Sequence, residues 1–211
     1  MIEIWGRKTS SNVQALMWCI GEIGLPFVRY DIGHRYGGND TAAFLAMNPN
    51  GTVPVIRDDK GAPLWETGAI LRYLAGRYGA LDFWPAEHQA RAQVDKWAEW
   101  AKINVALNFT APVFWRVVRT AAGDTQAIDQ ALVRLHHYLA LADAQIAHEG
   151  YLAGRAFTLA DIQFGHLLYR YFTIAIDRPV FPAIAQYYQR LTQRPAFAEH
   201  VMVFYDELRV S

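Results

Sequence analysis

The first part of the chain places one amphipathic segment between two short apolar runs. Residues 2–5 (IEIW) predict a β-strand, followed by a turn at Gly6–Thr9. Apolar side chains then recur every three or four residues, which is typical of a helical face; they are Val13, Leu16, Met17, Ile20 and Ile23. Gly24 and Pro26 end this helix, and Phe27–Ile32 predicts a second strand. Because a helix connects the two strands, we expect them to be parallel.

A second group of short elements follows a glycine-rich loop. Thr41–Met47 predicts a short helix, and residues 48–54 (NPNGTVP) form a turn cluster. Val53–Asp58 and Ala62–Trp65 predict strands joined as an antiparallel hairpin, because few residues separate them. Residues 66–78 carry one apolar helical face. The expected order is β-α-β, then a loop or short helix, then β-β-α.

The pattern changes after Leu81, where no strand-like alternation follows. Four stretches predict helices: residues 87–108, 126–148, 159–175 and 180–192. Pro112 is expected to break or kink the first helical stretch, because proline lacks an N–H and its ring clashes with the preceding turn. Further turns are predicted at Gly123-Asp124, Gly150 and Asp177–Pro179.

These patterns predict a small α/β domain over residues 1–80, a linker over 81–86 and an all-helical domain over 87–211. One helix start is well specified in the helical part. Thr158 and Asp161 have the spacing of a reciprocal capping pair, and Phe157 and Ile162 have the spacing of a hydrophobic staple. We interpret this segment as a folding element.

The composition excludes several classes of protein. The 211 residues include 20 Lys and Arg against 20 Asp and Glu, with no basic stripe, so a nucleic-acid partner is not expected. No apolar run has the length of a membrane span, and the N-terminus has no apolar signal-peptide core. Cys19 is the single cysteine, which excludes an intrachain disulfide. These features favour a cytoplasmic protein.

Two short motifs carry candidate chemistry in the α/β part. A cis bond between Val53 and Pro54 would turn the backbone outward, so that Val53 pairs with an extended peptide. The alternative is an ordinary trans proline at a sheet edge, which the residues alone favour. Glu66 and Thr67 stand where a strand meets a helix N-terminus and suit the two charges of a free amino-acid end. Helix capping is the commoner use of such residues.

The third candidate is the turn over residues 7–12 (RKTSSN), between the first strand and the first helix. A hydroxyl here lies near a helix N-terminus, where partial positive charge favours an anion such as a thiolate. Capping by Ser10, Ser11 or Asn12 is the alternative interpretation. We expect Arg7 and Lys8 to be solvated.

The order and spacing of these motifs resemble the cytosolic glutathione transferase superfamily. The resemblance runs through TSSNVQALMWCIGEIGLPF, NPNGTVPVI and LWETGAILRYLAGRYG, and FTLADI resembles the family's capped helix. It implies a thioredoxin-like domain in front of an all-helical domain, usually in a homodimer. It also implies that Pro54 is in the cis form, that Val53 pairs with the cysteinyl backbone of glutathione, and that Glu66 and Thr67 hold the γ-glutamyl end.

The resemblance also suggests a catalytic residue. Counting back from Gly24 places Ser10 at the serine of theta- and delta-like members, with Ser11 and Asn12 as alternatives. Trp5 stands near the tyrosine of tyrosine-type members and lacks a hydroxyl. Thr52 and Asn39 replace residues that contact the glycyl end of glutathione in many relatives, and this weakens the expected contact there.

The expected activity is conjugation of glutathione, as co-substrate, to small hydrophobic electrophiles in detoxification. Phe109, Phe114 and Trp115 are candidates for an apolar wall of the electrophile site, although a helical core is an equally good interpretation. No metal is expected, because His34, His136 and His137 lack ligand spacing. We interpret Cys19 as a buried structural thiol. The alternatives are a glutathione-dependent peroxidase or disulfide reductase on the same site and a non-catalytic binding module.

Overall fold

A computed structural model describes residues 1–119 and 125–209. The N-terminal domain has seven main elements: β1 (Ile2–Trp5), α1 (Ser11–Ile23), β2 (Phe27–Tyr30), α2 (Ala42–Met47), β3 (Val55–Asp58), β4 (Leu64–Trp65) and α3 (Thr67–Tyr78). A single 3₁₀ turn at His34–Tyr36 precedes α2. The predicted order is confirmed, and each observed strand or helix lies within two residues of its predicted bounds.

The four strands form one mixed sheet in the order β2-β1-β3-β4. β1 and β2 are parallel, with Ile2 opposite Phe27, as the connecting helix requires. β3 is antiparallel to both β1 and β4, with Ile56 opposite Ile4 and Leu64. The predicted parallel crossover and antiparallel hairpin are therefore both confirmed.

Helix α1 is buried on more than the single face that its apolar spacing predicts. Val13, Leu16 and Ile20 are inaccessible to solvent, as expected, but so is Trp18. The α1 helix packs against α3 and also against two helices of the second domain, Leu159–Gly165 and Pro195–His200. It therefore carries part of the core of both domains.

The second domain is helical throughout the described residues. It begins with α4 (His88–Trp100), which continues through wide π-type turns at Ala101–Ala106 and Thr110–Trp115, with α5 (Leu107–Phe109) between them. α6 (Arg116–Arg119) follows. The expected turn at Gly123-Asp124 lies outside the described residues.

The break expected at Pro112 does not occur, because the helix widens into a π turn there. Wide turns relax the fit that an α-helical proline would violate. Upstream of the proline, two asparagine side chains add hydrogen bonds to carbonyls four residues before them. The amide of Asn108 donates to the carbonyl of Asn104, and the amide of Asn104 donates to that of Trp100, at 2.8 and 3.1 Å. The helical course therefore extends to Arg119 rather than ending near residue 108.

The remaining helices complete the domain: α7 (Thr125–Glu149), α8 (Leu159–Gly165), α9 (Leu168–Thr173), α10 (Pro182–Thr192) and α11 (Pro195–His200). A 3₁₀ turn at Asp206–Leu208 follows. The helix expected over 159–175 is thus divided in two, and α11 was not expected. None of the described helices is long and apolar enough to cross a membrane.

The predicted cap at the start of α8 is confirmed. The Asp161 carboxylate accepts the N–H of Thr158 at 2.8 Å, which completes the capping box. It also accepts the N–H of Leu152 and the hydroxyl of Tyr187, at 3.0 and 2.9 Å. One fully buried carboxylate therefore ties α8 to α10 and to the segment after α7.

Candidate active site

Ser10 is the N-cap residue of α1, but its side chain makes no capping hydrogen bond. Its backbone is extended, and its carbonyl accepts the first helical bond, from the N–H of Gln14, at 2.9 Å. The side chain is mostly buried and lines a cleft. The capping interpretation of this hydroxyl is therefore wrong, and the hydroxyl is available to a ligand at the positive end of a helix.

A buried cation holds the turn before Ser10. The Arg170 guanidinium donates from Nη2 to the carbonyl of Thr9 at 2.6 Å, and its carbon lies 4.4 Å from the ring centre of Phe114. The Arg170 side chain is 1% exposed. Burial lowers the pKa of Arg170 to about 9, so the group keeps its charge at neutral pH. The Thr9 hydroxyl is fixed as well, by donation to the carboxylate of Glu207.

The cleft at Ser10, called here the Ser10 cleft, has a volume of about 320 Å³. Its lining includes seven of the residues expected from the sequence: Ser10, Ser11, Asn12, Asn39, Thr52, Val53 and Trp115. It also includes five that the sequence analysis did not assign to a site: Arg7, Gly33, His34, Gly51 and Thr110. The cleft therefore lies between the two domains, with Thr110 and Trp115 contributed by the helical one.

Arg7 is half-buried in this lining rather than solvated, which corrects the expectation from the sequence. Burial lowers the pKa of Arg7, and nearby Glu207 opposes this effect. Partial burial, and then the neighbouring Arg7 cation, lower the pKa of His34. His34 is therefore mainly neutral at neutral pH, and Arg7 supplies the formal positive charge of the lining.

The Val53–Pro54 peptide bond is cis. The trans form that the residues alone favour is wrong, and the form implied by the family resemblance is confirmed. β3 begins only at Val55, so Val53 lies outside the strand pairs at the edge of the Ser10 cleft. None of the described sheet pairs of β3 uses the Val53 backbone.

Glu66 and Thr67 lie at the start of α3 and outside the lining of the Ser10 cleft. Glu66 is exposed and has φ +67°, in the left-handed region that a residue other than glycine rarely adopts. Its side chain makes no capping bond, so its carboxylate is not used by the helix. Such backbone outliers occur preferentially at ligand sites.

A second cavity of about 180 Å³, called here the Lys102 cavity, adjoins the Ser10 cleft and shares Ser11, Asn12 and Thr110 with it. Its remaining lining comes from the helical domain: Lys102, Ala106, Leu107, Ala111 and His166. Lys102 Nζ donates to Asn12 Oδ1 at 3.3 Å. Asn12 therefore already has a partner, whereas the Ser10 hydroxyl has no capping bond.

The aromatic candidates divide between core and cleft. Phe109 and Phe114 are 1% and 0% exposed and line neither the Ser10 cleft nor the Lys102 cavity. They belong to the helical core, and Phe114 lies against Arg170. Trp115 does line the Ser10 cleft. Periodicity could not separate these residues, because the π turns change which side chains share a face.

The residues that the structure describes contain no cluster of three or more His, Cys, Asp or Glu side chains suited to a metal ion. Cys19 is fully buried in α1, and burial raises the pKa of its thiol. This agrees with the structural role expected from the sequence. Cys19 does not line the Ser10 cleft.

Two family models match the chain. Residues 9–77 match the glutathione S-transferase N-terminal domain, and residues 106–195 match the C-terminal domain. Glutathione S-transferase GstB of Escherichia coli strain K12 is 36% identical over 206 residues, which cover 96% of this chain and 99% of that protein. The chain belongs to the glutathione S-transferase family. It is a glutathione transferase with the thioredoxin-like and helical domains of that family.

Two further comparisons describe the family relationship. A theta-class glutathione S-transferase from Xanthomonas axonopodis pv. citri, solved with glutathione bound, is 41% identical with a TM-score of 0.90, and the match covers 96% of this chain and 98% of that one. The disulfide-bond oxidoreductase YfcG of Escherichia coli strain K12 is 28% identical over 217 residues, with 96% of this chain and 95% of that protein covered. The co-substrate of the family is glutathione.

Proposed function

We propose that this transferase holds the sulfur of glutathione beside Ser10, which donates a hydrogen bond to the thiolate. The observation that carries the proposal is the Ser10 side chain, which stands at a helix N-cap, makes no capping bond and faces the Ser10 cleft. The thiolate then attacks a small hydrophobic electrophile. The theta-class relative at 41% identity supports a serine-type enzyme.

The peptide would lie along the edge formed by Val53 and Pro54. Val53 would pair with the cysteinyl backbone, and Glu66 and Thr67 at the α3 N-terminus would hold the amino and carboxylate groups of the γ-glutamyl end. The glycyl end would then extend toward Thr52 and Asn39, which line the same cleft. This placement uses each residue that the family resemblance assigns.

The electrostatics favour the thiolate over the thiol. A free thiol has a pKa of about 8.5, and the thiolate is the nucleophile. A downward shift of about two pKa units would ionise most bound glutathione at neutral pH. The Ser10 hydroxyl, the N-terminus of the 13-residue α1 and the buried Arg170 all favour negative charge at this position.

The electrophile would occupy the helical side of the site. Trp115 in the Ser10 cleft and the Ala106, Leu107 and Ala111 side chains of the Lys102 cavity provide apolar surface next to Ser11. Phe109 and Phe114 lie behind this surface, as buried core residues. In this scheme residues 1–80 bind glutathione, residues 81–86 connect the domains, and residues 87–211 supply the electrophile site.

Turnover assays with single substitutions test the assignment of Ser10. We expect Ser10→Ala to lower kcat/KM for a chloro-nitroaromatic about 100-fold, as removal of one donor to a developing anion does elsewhere. Ser11→Ala and Asn12→Ala should stay within a few-fold of the parent. Equal activity in Ser10→Ala and parent would contradict the assignment, and a larger loss in Ser11→Ala would transfer the role to Ser11.

A second candidate function is glutathione-dependent disulfide reduction, which the match to YfcG favours. Cys19 is the single cysteine and is fully buried, so the reducing thiol would have to come from glutathione. Parallel assays with a hydroperoxide and a glutathione-mixed disulfide separate these reactions from conjugation. Glutathione binding without turnover in any of the three assays would favour a binding module instead.

We also infer a homodimer and a cytoplasmic location from membership of the family. Sedimentation analysis of the purified chain would test the first inference, since a monomer at assay concentrations would contradict it. Fractionation of cells that produce the protein would test the second.

A further inference from the structure

Arg7 carries a charge that no other described residue neutralises by contact. Its side chain is half-buried, and its Nε is buried without a hydrogen-bond partner. The nearest favourable charge is Glu207, which raises the pKa of Arg7 but makes no ion pair with it among the described residues. A cation partly removed from water is stabilised when an anion pairs with it.

The Glu207 carboxylate is engaged elsewhere. One oxygen accepts the hydroxyl of Thr9, and the other pairs with Arg35 Nη2 at 2.7 Å. Glu207 therefore offers Arg7 long-range attraction without satisfying its donors. Arg7 lines the Ser10 cleft, and no described residue accepts a hydrogen bond from its guanidinium.

The geometry around Gly33 shows which end of the cleft Arg7 reaches. A Cβ atom built on Gly33 would lie 3.2 Å from Arg7 Nη1, 3.7 Å from Val53 Cγ1 and 3.9 Å from Asn39 Oδ1. The guanidinium therefore lies close to Val53 and Asn39. Gly33 has φ +85°, so its backbone favours glycine, and the missing side chain leaves this space open.

The other residues that line this end of the cleft supply no formal positive charge. Arg35, which is paired with Glu207, and Arg119, which lies over the ring of Trp115, do not line it. Asn39 and Thr52 are neutral, and the pKa of His34 is lowered by partial burial and by Arg7 itself. Thr52 and Asn39 stand where many relatives have residues that contact the glycyl end of glutathione. If Val53 pairs with the cysteinyl backbone, the next residue of the bound peptide is its glycine, whose carboxylate then needs a cation.

We propose that Arg7 binds the glycyl carboxylate of glutathione through an ion pair. The uncharged side chains of Asn39 and Thr52 cannot form this ion pair. The proposal rests on the proposed function, because it requires glutathione in the Ser10 cleft. A planar guanidinium matches a carboxylate in bidentate geometry. Arg7 is therefore a specificity-determining residue for the free carboxylate of the co-substrate.

Calorimetry with two ligands tests this assignment. The probes are glutathione and its glycyl monoethyl ester, which differ in the charge at that end alone. The parent protein should bind glutathione at least about tenfold more tightly than the ester. Arg7→Met should bind glutathione about as weakly as the ester, while its affinity for the ester stays near that of the parent, and this retained affinity shows that the variant is folded.

The matched control is Lys8→Met, because Lys8 is the adjacent residue, is exposed and lies outside the Ser10 cleft. It removes the same formal charge and should keep the preference for glutathione. Arg7→Lys should recover part of that preference. With a neutral electrophile, Arg7→Met should raise KM for glutathione more than it lowers kcat.

The outcomes separate the two proposals. If Arg7→Met keeps the parent's preference for glutathione over the ester, the assignment of Arg7 is overturned while the proposed function stands. If the parent binds glutathione and its ester equally, the assignment of Arg7 is likewise overturned and the proposed function stands. If the parent binds neither ligand, the proposed function is overturned and the assignment of Arg7 falls with it.

Discussion

The Arg170 guanidinium is an unusual charge, since it is buried and donates to a backbone carbonyl, at Thr9, with no carboxylate in contact among the described residues. Burial of an unpaired cation costs free energy, which is consistent with its lowered pKa. That carbonyl belongs to the residue before Ser10. Arg170 therefore positions the turn that presents the hydroxyl, and its charge favours an anion there.

Replacing Arg170 should change the ionisation of the bound thiol. We expect Arg170→Met to raise the pKa of bound glutathione by about one unit, which corresponds to about 1.4 kcal/mol, because a cation near the thiolate is lost. Titration of the ultraviolet absorbance of the thiolate in the complex measures this shift. Arg170→Lys, which keeps the charge, should shift the pKa less; an unchanged pKa in Arg170→Met would show that the residue is purely structural.

The sequence predicts the short-range parts of this site better than the long-range parts. The family resemblance points to Ser10, and the structure places this residue at the N-cap of α1 and in the lining of the Ser10 cleft. Arg170 lies 161 residues from Thr9, and nothing in a local pattern indicates that the two meet. Arg7 was missed for a related reason, since its burial depends on elements that approach it from elsewhere in the chain.

At the level of elements, regular periodicity predicts the strands and the amphipathic helices but not the π turns. A residue inserted into a helical turn changes which side chains lie on a face, so Thr110 and Trp115 line the Ser10 cleft while Phe109 and Phe114 do not. Hydrophobicity alone does not separate Trp115 from the two phenylalanines. The division of the predicted helix 159–175 at His166 has no strong sequence signal either.

His166 ends α8 in a fully buried position. Its Nδ1 lies 3.0 Å from the carbonyl of Ile162, which can only accept, so this nitrogen carries the proton of the neutral ring. Burial lowers the pKa of His166 to about 3, from a reference value of 6.5. The folded protein therefore keeps this ring neutral at pH values where the unfolded chain protonates it.

This difference predicts a pH dependence of stability. Above about pH 6.5 the ring is neutral in both states and does not change the free energy of unfolding. As the pH falls from there toward 3, the ring becomes protonated in the unfolded state but stays neutral in the folded state. The His166 contribution should lower the free energy of unfolding by about 1.4 kcal/mol per pH unit. Urea denaturation at several pH values, with His166→Gln as the comparison, measures it. Parallel slopes for parent and variant would contradict the prediction.

At the level of the whole molecule, the two domains are joined by contacts that the sequence does not reveal. Arg194 makes a bidentate pair with Glu22, with distances of 2.7 and 2.5 Å, and its guanidinium carbon lies 3.8 Å from the ring centre of Phe157. Trp18 donates to the same carboxylate at 2.8 Å. Because the Ser10 cleft is lined from both domains, this junction also fixes the relative position of its two walls.

The burial of Cys19 is a further property of the whole fold, because the helix that carries it is covered by both domains. Its thiol is inaccessible, and burial raises its pKa. We expect a thiol-alkylating reagent to leave the native protein unmodified and to add one adduct once denaturant is present, as intact-mass spectrometry would show. Alkylation of the native protein would contradict this expectation.

An enzyme that handles thiol-seeking compounds risks self-inactivation through any sulfhydryl that those compounds can reach. In this chain the one sulfhydryl, that of Cys19, is buried between packed helices. The co-substrate then brings the sole thiol that solvent-borne reagents encounter, and that thiol leaves with each product. Exposure to its own reactants should therefore cost the catalyst no cysteine, however many cycles it completes.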